Sequence, residues 1–306
     1  MTASAIELDA VTKTFGRHRG VIQVSVDVRP GEVFGFLGPN GAGKSTTIRL
    51  IMGLYRPTAG RVVVLGRDPL VDPVAVHRAV GYLPGELALF GRLTGREHLD
   101  FVGRSRGTAD HRLRDELVER FGVELDRPVR TLSKGNRQKI GIVLAFGHRP
   151  DLLVLDEPTS GLDPLLQDEF ERLLQETAAA GHTVFLSSHE LGEVQRSADR
   201  VAIIREGRIV VVDTVDGLRS SAPPVVEFTF PVGVDVAALG RLDGVDVVAH
   251  HGDRVRLSVT GRIGPLLRKA GELDPIDMTA RPADLDELFL RYYRNASNEA
   301  VGEVAS

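Results

Sequence analysis

The stretch Gly38-Pro39-Asn40-Gly41-Ala42-Gly43-Lys44-Ser45-Thr46 constrains this chain more than any other. It fits Gly-x-x-x-x-Gly-Lys-Ser/Thr and sits where that pattern has physical meaning. Ahead of it, Glu32-Val33-Phe34-Gly35-Phe36-Leu37 reads as a short apolar strand. Behind it, Thr46 to Met52 places apolar residues at helical spacing. The glycines let successive N–H groups turn toward one phosphate without Cβ clashes. The helix N-terminus adds its positive dipole end to the same site. Lys44 is placed to neutralise the β- and γ-phosphates of a nucleotide, and the Ser45 hydroxyl to hold Mg²⁺.

Around this loop strand and helix patterns alternate. Ile6 to Val11 and Val24 to Val28 alternate apolar and polar residues, as half-buried antiparallel strands do. A turn at Pro57-Thr58-Ala59-Gly60 leads into a strand from Arg61 to Leu65. From about Tyr82 to Gly147 the texture is helical. Thr94-Gly95-Arg96-Glu97 is a capping box. Asp110 to Phe121 puts Leu113, Leu117, Val118 and Phe121 on one face, and Ser133 precedes a third helix. Strands follow at Asp151 to Leu155 and His182 to Leu186, flanking a helix opened by Asp163-Pro164. Ser188 reads as the cap of a helix from Glu190 to about Ser197, before a hairpin around Glu206-Gly207. This order gives an α/β core of the P-loop NTPase type, a parallel sheet with helices on both faces. An antiparallel β subdomain precedes it, and a helical subdomain is inserted over about 82–147.

After Ser220-Ser221-Ala222-Pro223-Pro224 the pattern changes. Strand (Val225–Phe230), helix (Val236–Leu242), two strands (Val245–Ala249, Val255–Val259), helix (Ile263–Ala270) and strand (Ile276–Thr279) follow. That is β-α-β-β-α-β, an α+β ferredoxin-like domain, with a closing helix over Ala283–Tyr293. The expected domains are 1–219 and 225–294, with a frayed tail over 295–306. A length of 306 residues suits two domains.

The net charge of −4 is too mild for wholesale nucleic-acid binding. Without cysteine, disulfides, thiolate catalysis and cysteine zinc sites are excluded. No apolar run approaches the ~18 residues of a membrane span, and the first residues lack the pattern of a signal peptide.

The strand Leu152-Leu153-Val154-Leu155 runs straight into Asp156-Glu157. Two acids at the carboxyl end of a buried parallel strand lie beside the phosphate loop in such folds. Asp156 is placed to hold Mg²⁺ and Glu157 to orient or deprotonate the attacking water. Phe15, an aromatic just upstream of the loop, is either core or a surface on which adenine stacks.

These blocks together resemble the ATP-binding subunits of ABC transporters, over about residues 5–215. Beside the phosphate loop and the strand-end acids, the resemblance rests on Leu132-Ser133-Lys134-Gly135-Asn136 at the family's signature. Ser160-Gly161-Leu162-Asp163 and Ser187-Ser188-His189 complete it. It implies a head-to-tail homodimer in which each ATP lies between one phosphate loop and the partner's signature. Ser133 and Gly135 would then touch the γ-phosphate bound by the other subunit, and His189 that of its own. ATP and Mg²⁺ are the implied cofactors. The implied partner is a separately encoded integral membrane permease, which would hold the protein at the cytoplasmic face of the cell membrane. The C-terminal extension, with its ending Asp284-Leu285-Asp286-Glu287-Leu288, resembles exporter-type members.

Two departures stand out. The signature reads Ser-Lys-Gly-Asn where Ser-Gly-Gly-Gln is usual, and Lys134 adds a positive charge there. Gly85 follows Gly81-Tyr82-Leu83-Pro84 where the family usually carries Gln, with Glu86 one position later as the candidate substitute. The leading expectation is an ATPase that powers export. The alternative is a soluble ABC-type ATPase acting on ribosomes or nucleic acid, which usually carries two nucleotide domains per chain. A DNA-repair ATPase would need long heptads that the 82–147 segment is too short to supply. A small-molecule kinase would not need Ser133, the second acidic block and His189 together.

Overall fold

The computed structural model describes residues 4–16, 18–107, 111–221, 223–231 and 236–281. The chain divides into two compact units, Met1–Asp213 and Thr214–Ser306.

The first unit opens with strands β1 (Ile6–Phe15) and β2 (His18–Val28), paired antiparallel from Ile6 opposite Val28. Strand β3 (Val33–Leu37) leads through the phosphate loop into helix α1 (Lys44–Ile51). Strand β4 (Ala59–Val64) returns to the other edge of β1, completing the sheet β2-β1-β4. Ile6, Leu8, Val24 and Val26, on the face that alternation assigned to the core, turn inward together with Val62 and Val64.

Helix α2 (Pro73–Ala79), capped by Asp72, delivers the chain to strand β5 (Val80–Leu83). The helical segment then supplies α3 (Gly95–Arg106), α4 (Arg112–Arg120) and α5 (Lys134–Phe146). The Thr94/Glu97 capping box is present with both of its hydrogen bonds. The expected helical texture from Tyr82 therefore begins inside a strand, and the second helix starts at Arg112.

Strand β6 (Leu152–Asp156), helix α6 (Pro164–Ala179), strand β7 (Thr183–Ser188), helix α7 (Leu191–Ser197) and strands β8 (Arg200–Arg205) and β9 (Arg208–Thr214) complete the unit. They assemble with the earlier strands into one sheet of order β5-β6-β7-β3-β8-β9. The pairs from β5 through β8 are parallel.

Every residue of β3, β6 and β7 is buried, because the sheet has a hydrophobic cluster on each face. Phe34, Phe36, Leu152, Val154 and Phe185 join the cluster that contains α1 and the antiparallel sheet. Their neighbours Val33, Leu153, Leu155, Val184 and Leu186 join Phe146, Phe170 and Leu174 on the other face. Successive side chains of a strand point to opposite faces, so continuous apolar runs were required here. Asp163 caps α6 by accepting from Leu166 N–H, with Pro164 at the first helical position.

The second unit holds α8 (Val215–Ser221), β10 (Val225–Thr229), β11 (Val245–His251), β12 (Arg254–Val259), α9 (Gly264–Glu272) and β13 (Asp277–Arg281). Its sheet has order β11-β12-β10-β13 with every pair antiparallel. This is the strand arrangement of a ferredoxin-like domain. Val226, Phe228, Phe230, Leu257 and Leu266 form its core. The helix expected over Val236–Leu242 is only a 3-10 turn at Val236–Ala238. Gly240, inside the expected helix, is a weak helix former, and a Cβ there would lie 2.8 Å from Val247 Cγ2. The closing helix expected over Ala283–Tyr293 lies outside the described residues.

Candidate nucleotide site

The carboxyl ends of β6, β7 and β3 lie side by side, with Asp156 opposite Ser187 and Ser188 opposite Leu37. The phosphate loop leaves β3 there. Its glycines answer to specific contacts. A Cβ on Gly38 would lie 2.4 Å from the Ile204 carbonyl oxygen, and Gly43 adopts φ 114° against Val21. Helix α1 begins without a side-chain cap at Gly43 and without an acid in its first turn, leaving its end suited to an external anion.

The Lys44 side chain is 5% exposed. Its ammonium donates to Gly38 O at 2.7 Å and Pro39 O at 3.2 Å. Its charge is met by Glu157 Oε1 at 3.3 Å. The same carboxylate oxygen lies 3.3 Å from His189 Nδ1. One Glu157 oxygen thus joins the phosphate-loop lysine to the histidine after β7.

Glu157 adopts φ 48°, in the left-handed region, a conformation that costs a side-chain-bearing residue about 1 kcal/mol or more. The Glu157 N–H donates to Ser187 O at 3.1 Å, which holds this turn against β7. Asp156 is buried, and Ser187 Oγ donates to its Oδ1 at 2.5 Å. A Cβ on Gly85 would lie 3.3 Å from Asp156 Oδ2. The position where the sequence lacks a glutamine therefore borders this carboxylate, while Glu86 is exposed. Burial, with Asp156 beside it, pushes the Tyr82 phenol up and keeps it protonated.

Among the described residues no group of three or more His, Asp or Glu side chains is arranged to hold a metal. Mg²⁺ takes one or two protein oxygens and completes its shell with water and substrate phosphates. Ser45 and Asp156 would be its protein ligands. The buried lysine, the uncapped helix end and the glycine loop fit a polyphosphate.

Phe15 is 41% exposed rather than part of the core. Its ring meets Tyr55 edge to face at 5.3 Å, and Lys13 Nζ lies 5.2 Å from its centroid. A Cβ on Gly20 would lie 2.9 Å from Phe15 Cε2 and 3.2 Å from Thr46 Cγ2, so the ring borders the start of α1.

At the signature, Ser133 caps α5 by accepting from Asn136 N–H at 3.1 Å. A Cβ on Gly135 would lie 2.6 Å from Gly161 O, which gives this glycine a packing reason as well. Lys134 Nζ donates to Ser160 Oγ at 2.8 Å, so its charge is turned to the chain's own loop. Gln138 Nε2 donates to Pro158 O at 2.7 Å.

Ser188 does not cap α7, whose N-cap is Glu190. Its hydroxyl instead accepts from Glu190 N–H and donates to Glu193. Sequence reasoning also missed Ser187 as the partner of Asp156, although its place at a strand end directly before Ser188-His189 was a usable signal.

A family model described as "ABC transporter" matches residues 21–160. Over 94% of its length the chain is 31% identical to the bacitracin transport ATP-binding protein BcrA of Bacillus licheniformis, covering 97% of that protein. It is 33% identical to the daunorubicin/doxorubicin resistance ATP-binding protein DrrA of Streptomyces peucetius, over 99% of this chain and 96% of the other. A solved ATP-binding subunit of an ABC transporter superposes with TM-score 0.67 at 32% identity, over 71% of this chain and 92% of that one. A dimeric ATP-binding cassette bound to ADP and Pi has the same fold, with TM-score 0.61 at 22% identity over 69% and 98%.

Proposed function

The chain belongs to the ATP-binding subunits of ABC transporters, and from that premise we propose that it drives export through a separately encoded membrane permease. It binds ATP with Mg²⁺ and hydrolyses it. The observation that carries the site assignment is the linked set Lys44, Glu157 and His189, joined through one carboxylate oxygen beside the buried Asp156.

Each residue has a role its position supports. The phosphate loop and Lys44 bind the β- and γ-phosphates, and Phe15 offers adenine an exposed ring. Ser45 and Asp156 hold Mg²⁺, which screens phosphate charge. Glu157 takes the proton of the attacking water, and His189 orients that carboxylate and the γ-phosphate. A base so placed is worth roughly 10²–10⁴ in rate. Ser133 and Gly135 complete the site of a second copy in a head-to-tail dimer, because a helix N-terminus with a serine cap suits an anion.

No described helix is long and apolar enough to cross a membrane. We read the protein as held at the inner face of the cell membrane by its permease. The segment 1–219 is the ATP-binding domain and 225–294 an accessory domain that stabilises or regulates the dimer. Export is the direction because relatives matched over nearly the whole chain are named for bacitracin transport and for daunorubicin resistance. The test is mass spectrometry of crosslinked complexes taken from membranes. A polytopic protein held at stoichiometric yield is expected; recovery with ribosomes instead would overturn the transport reading.

A further inference from the structure

The residue after Glu157 is held by a side chain that has no part in the chemistry assigned so far. Pro158 is buried and has no N–H, so its carbonyl is its one backbone group in need of a partner. Gln138, on α5 and 4% exposed, provides one. Its Nε2 donates to Pro158 O at 2.7 Å, with both groups buried. The same helix follows the loop further. Lys134 Nζ donates to Ser160 Oγ at 2.8 Å, and Gly135 closely approaches Gly161 O. The turn is also fixed to β7, where Glu157 N–H donates to Ser187 O at 3.1 Å. Ser160 N–H closes it by donating to Glu157 O at 3.2 Å.

These contacts bear on a residue in an unusual conformation. Glu157 adopts φ 48° and precedes a proline, which narrows its choices further. Such a residue keeps its place only where the surroundings over-determine it. Ser187 fixes the peptide that enters Glu157. The ring of Pro158 locks φ there, so holding the Pro158 carbonyl fixes the direction in which the chain leaves. We propose that Gln138 is a positioning residue for ATP hydrolysis, its amide holding the Pro158 carbonyl against α5 so that Glu157 stays aimed. The Glu157 carboxylate thereby keeps its 3.3 Å approaches to Lys44 Nζ and His189 Nδ1. A neutral amide does this without adding a buried charge. A displacement of about 1 Å at such a group is enough to cost roughly 10²-fold in rate. The inference rests on the reading of Glu157 as the catalytic base.

The experiment compares kcat and calorimetric ATP affinity for the full-length chain and its variants across pH. Gln138→Met keeps the length of the side chain and loses the donor. It is expected to lower kcat by about tenfold or more while ATP affinity stays within about threefold. Gln138→Glu donates to Pro158 O only when its carboxyl is protonated, a form that burial favours as pH falls. Its kcat, as a ratio to the parent at each pH, is expected to rise at least about threefold from about pH 8.5 to about pH 6.5. Lost packing would not move that ratio. Should Gln138→Met fail to fold, the ratio in Gln138→Glu carries the test. A kcat for Gln138→Met within about twofold of the parent, equal losses of kcat and affinity, or a ratio in Gln138→Glu that stays low and flat overturns the proposal. Added to Glu157→Gln, Gln138→Met should leave nucleotide-driven dimers intact in sedimentation. Their loss would place its effect at the start of α5 and overturn the proposal too. Glu157→Gln is assayed beside them. Full turnover in that variant removes the premise, whereas a dead Glu157→Gln with a normal Gln138→Met removes this inference alone.

Discussion

The two units differ in what they bury. In the first, Lys44, Thr47, Asp156, Ser187, Ser188 and Glu193 are all shielded from water around the carboxyl ends of the parallel strands or the start of α1. In the second, Ser258 is the one buried polar side chain among the described residues, set in a core of Val226, Phe228, Phe230 and Leu257. Burying a charge costs several kcal/mol unless it is paired and hydrogen-bonded. In the first unit that expense falls on Lys44 and Asp156 at the proposed nucleotide site, and also on the Glu32–Arg200 ion pair away from it.

The sharpest test of this contrast separates binding from turnover inside the first unit. Glu157→Gln is expected to retain ATP binding while kcat falls by roughly 10²–10⁴. Lys44→Ala removes the buried member of a half-buried charge pair and should weaken ATP binding by about 100-fold, or ~3 kcal/mol, by calorimetry. Unchanged affinity in that variant would break the assignment of the phosphate loop. In the second unit, Leu257→Ala should lower stability by about 2–3 kcal/mol in a thermal melt and leave ATP affinity as it was. A parallel fall in affinity would show that the two units are not divided as claimed.

A smaller effect comes from His148. Burial, with the Arg106 guanidinium 2.8 Å away, lowers its pKa to about 4. Between about 4 and its ordinary value of 6.5 the unfolded chain binds the proton and the folded chain does not. Its stability contribution is therefore whole above pH 6.5 and drains away as pH falls toward 4. After allowance for partial solvent screening the loss is about 1–2 kcal/mol. His148→Gln should flatten that part of the melting profile, and an identical profile would refute the assignment.

Much of the site was legible because its parts are local in the chain. The glycine loop lies between a strand and a helix, and Asp156-Glu157 follows four apolar residues directly. What escaped is long-range. Ser187 meets Asp156 only because β6 and β7 pair in that register. Glu193 resembles any polar residue of a short helix until the fold brings the Ser188 hydroxyl to it. Strand β5 has four residues, among them Gly81 and Tyr82, too few for periodicity to separate it from the helical texture that follows. Helix α2 spans seven residues and was likewise passed over, although Asp72-Pro73 is a cap followed by a first-turn proline. The helix expected over Val236–Leu242 contains Gly240, a weak helix former and the contrary sign.

Sharing of the nucleotide between two copies is the claim on which the functional account turns. Sedimentation of Glu157→Gln, with and without Mg²⁺ and ATP, tests it most directly. The account predicts that nucleotide drives the variant into dimers and that adding Ser133→Arg abolishes the increase while each chain still binds ATP. The same sedimentation with and without ATP, at full nucleotide occupancy, would contradict it.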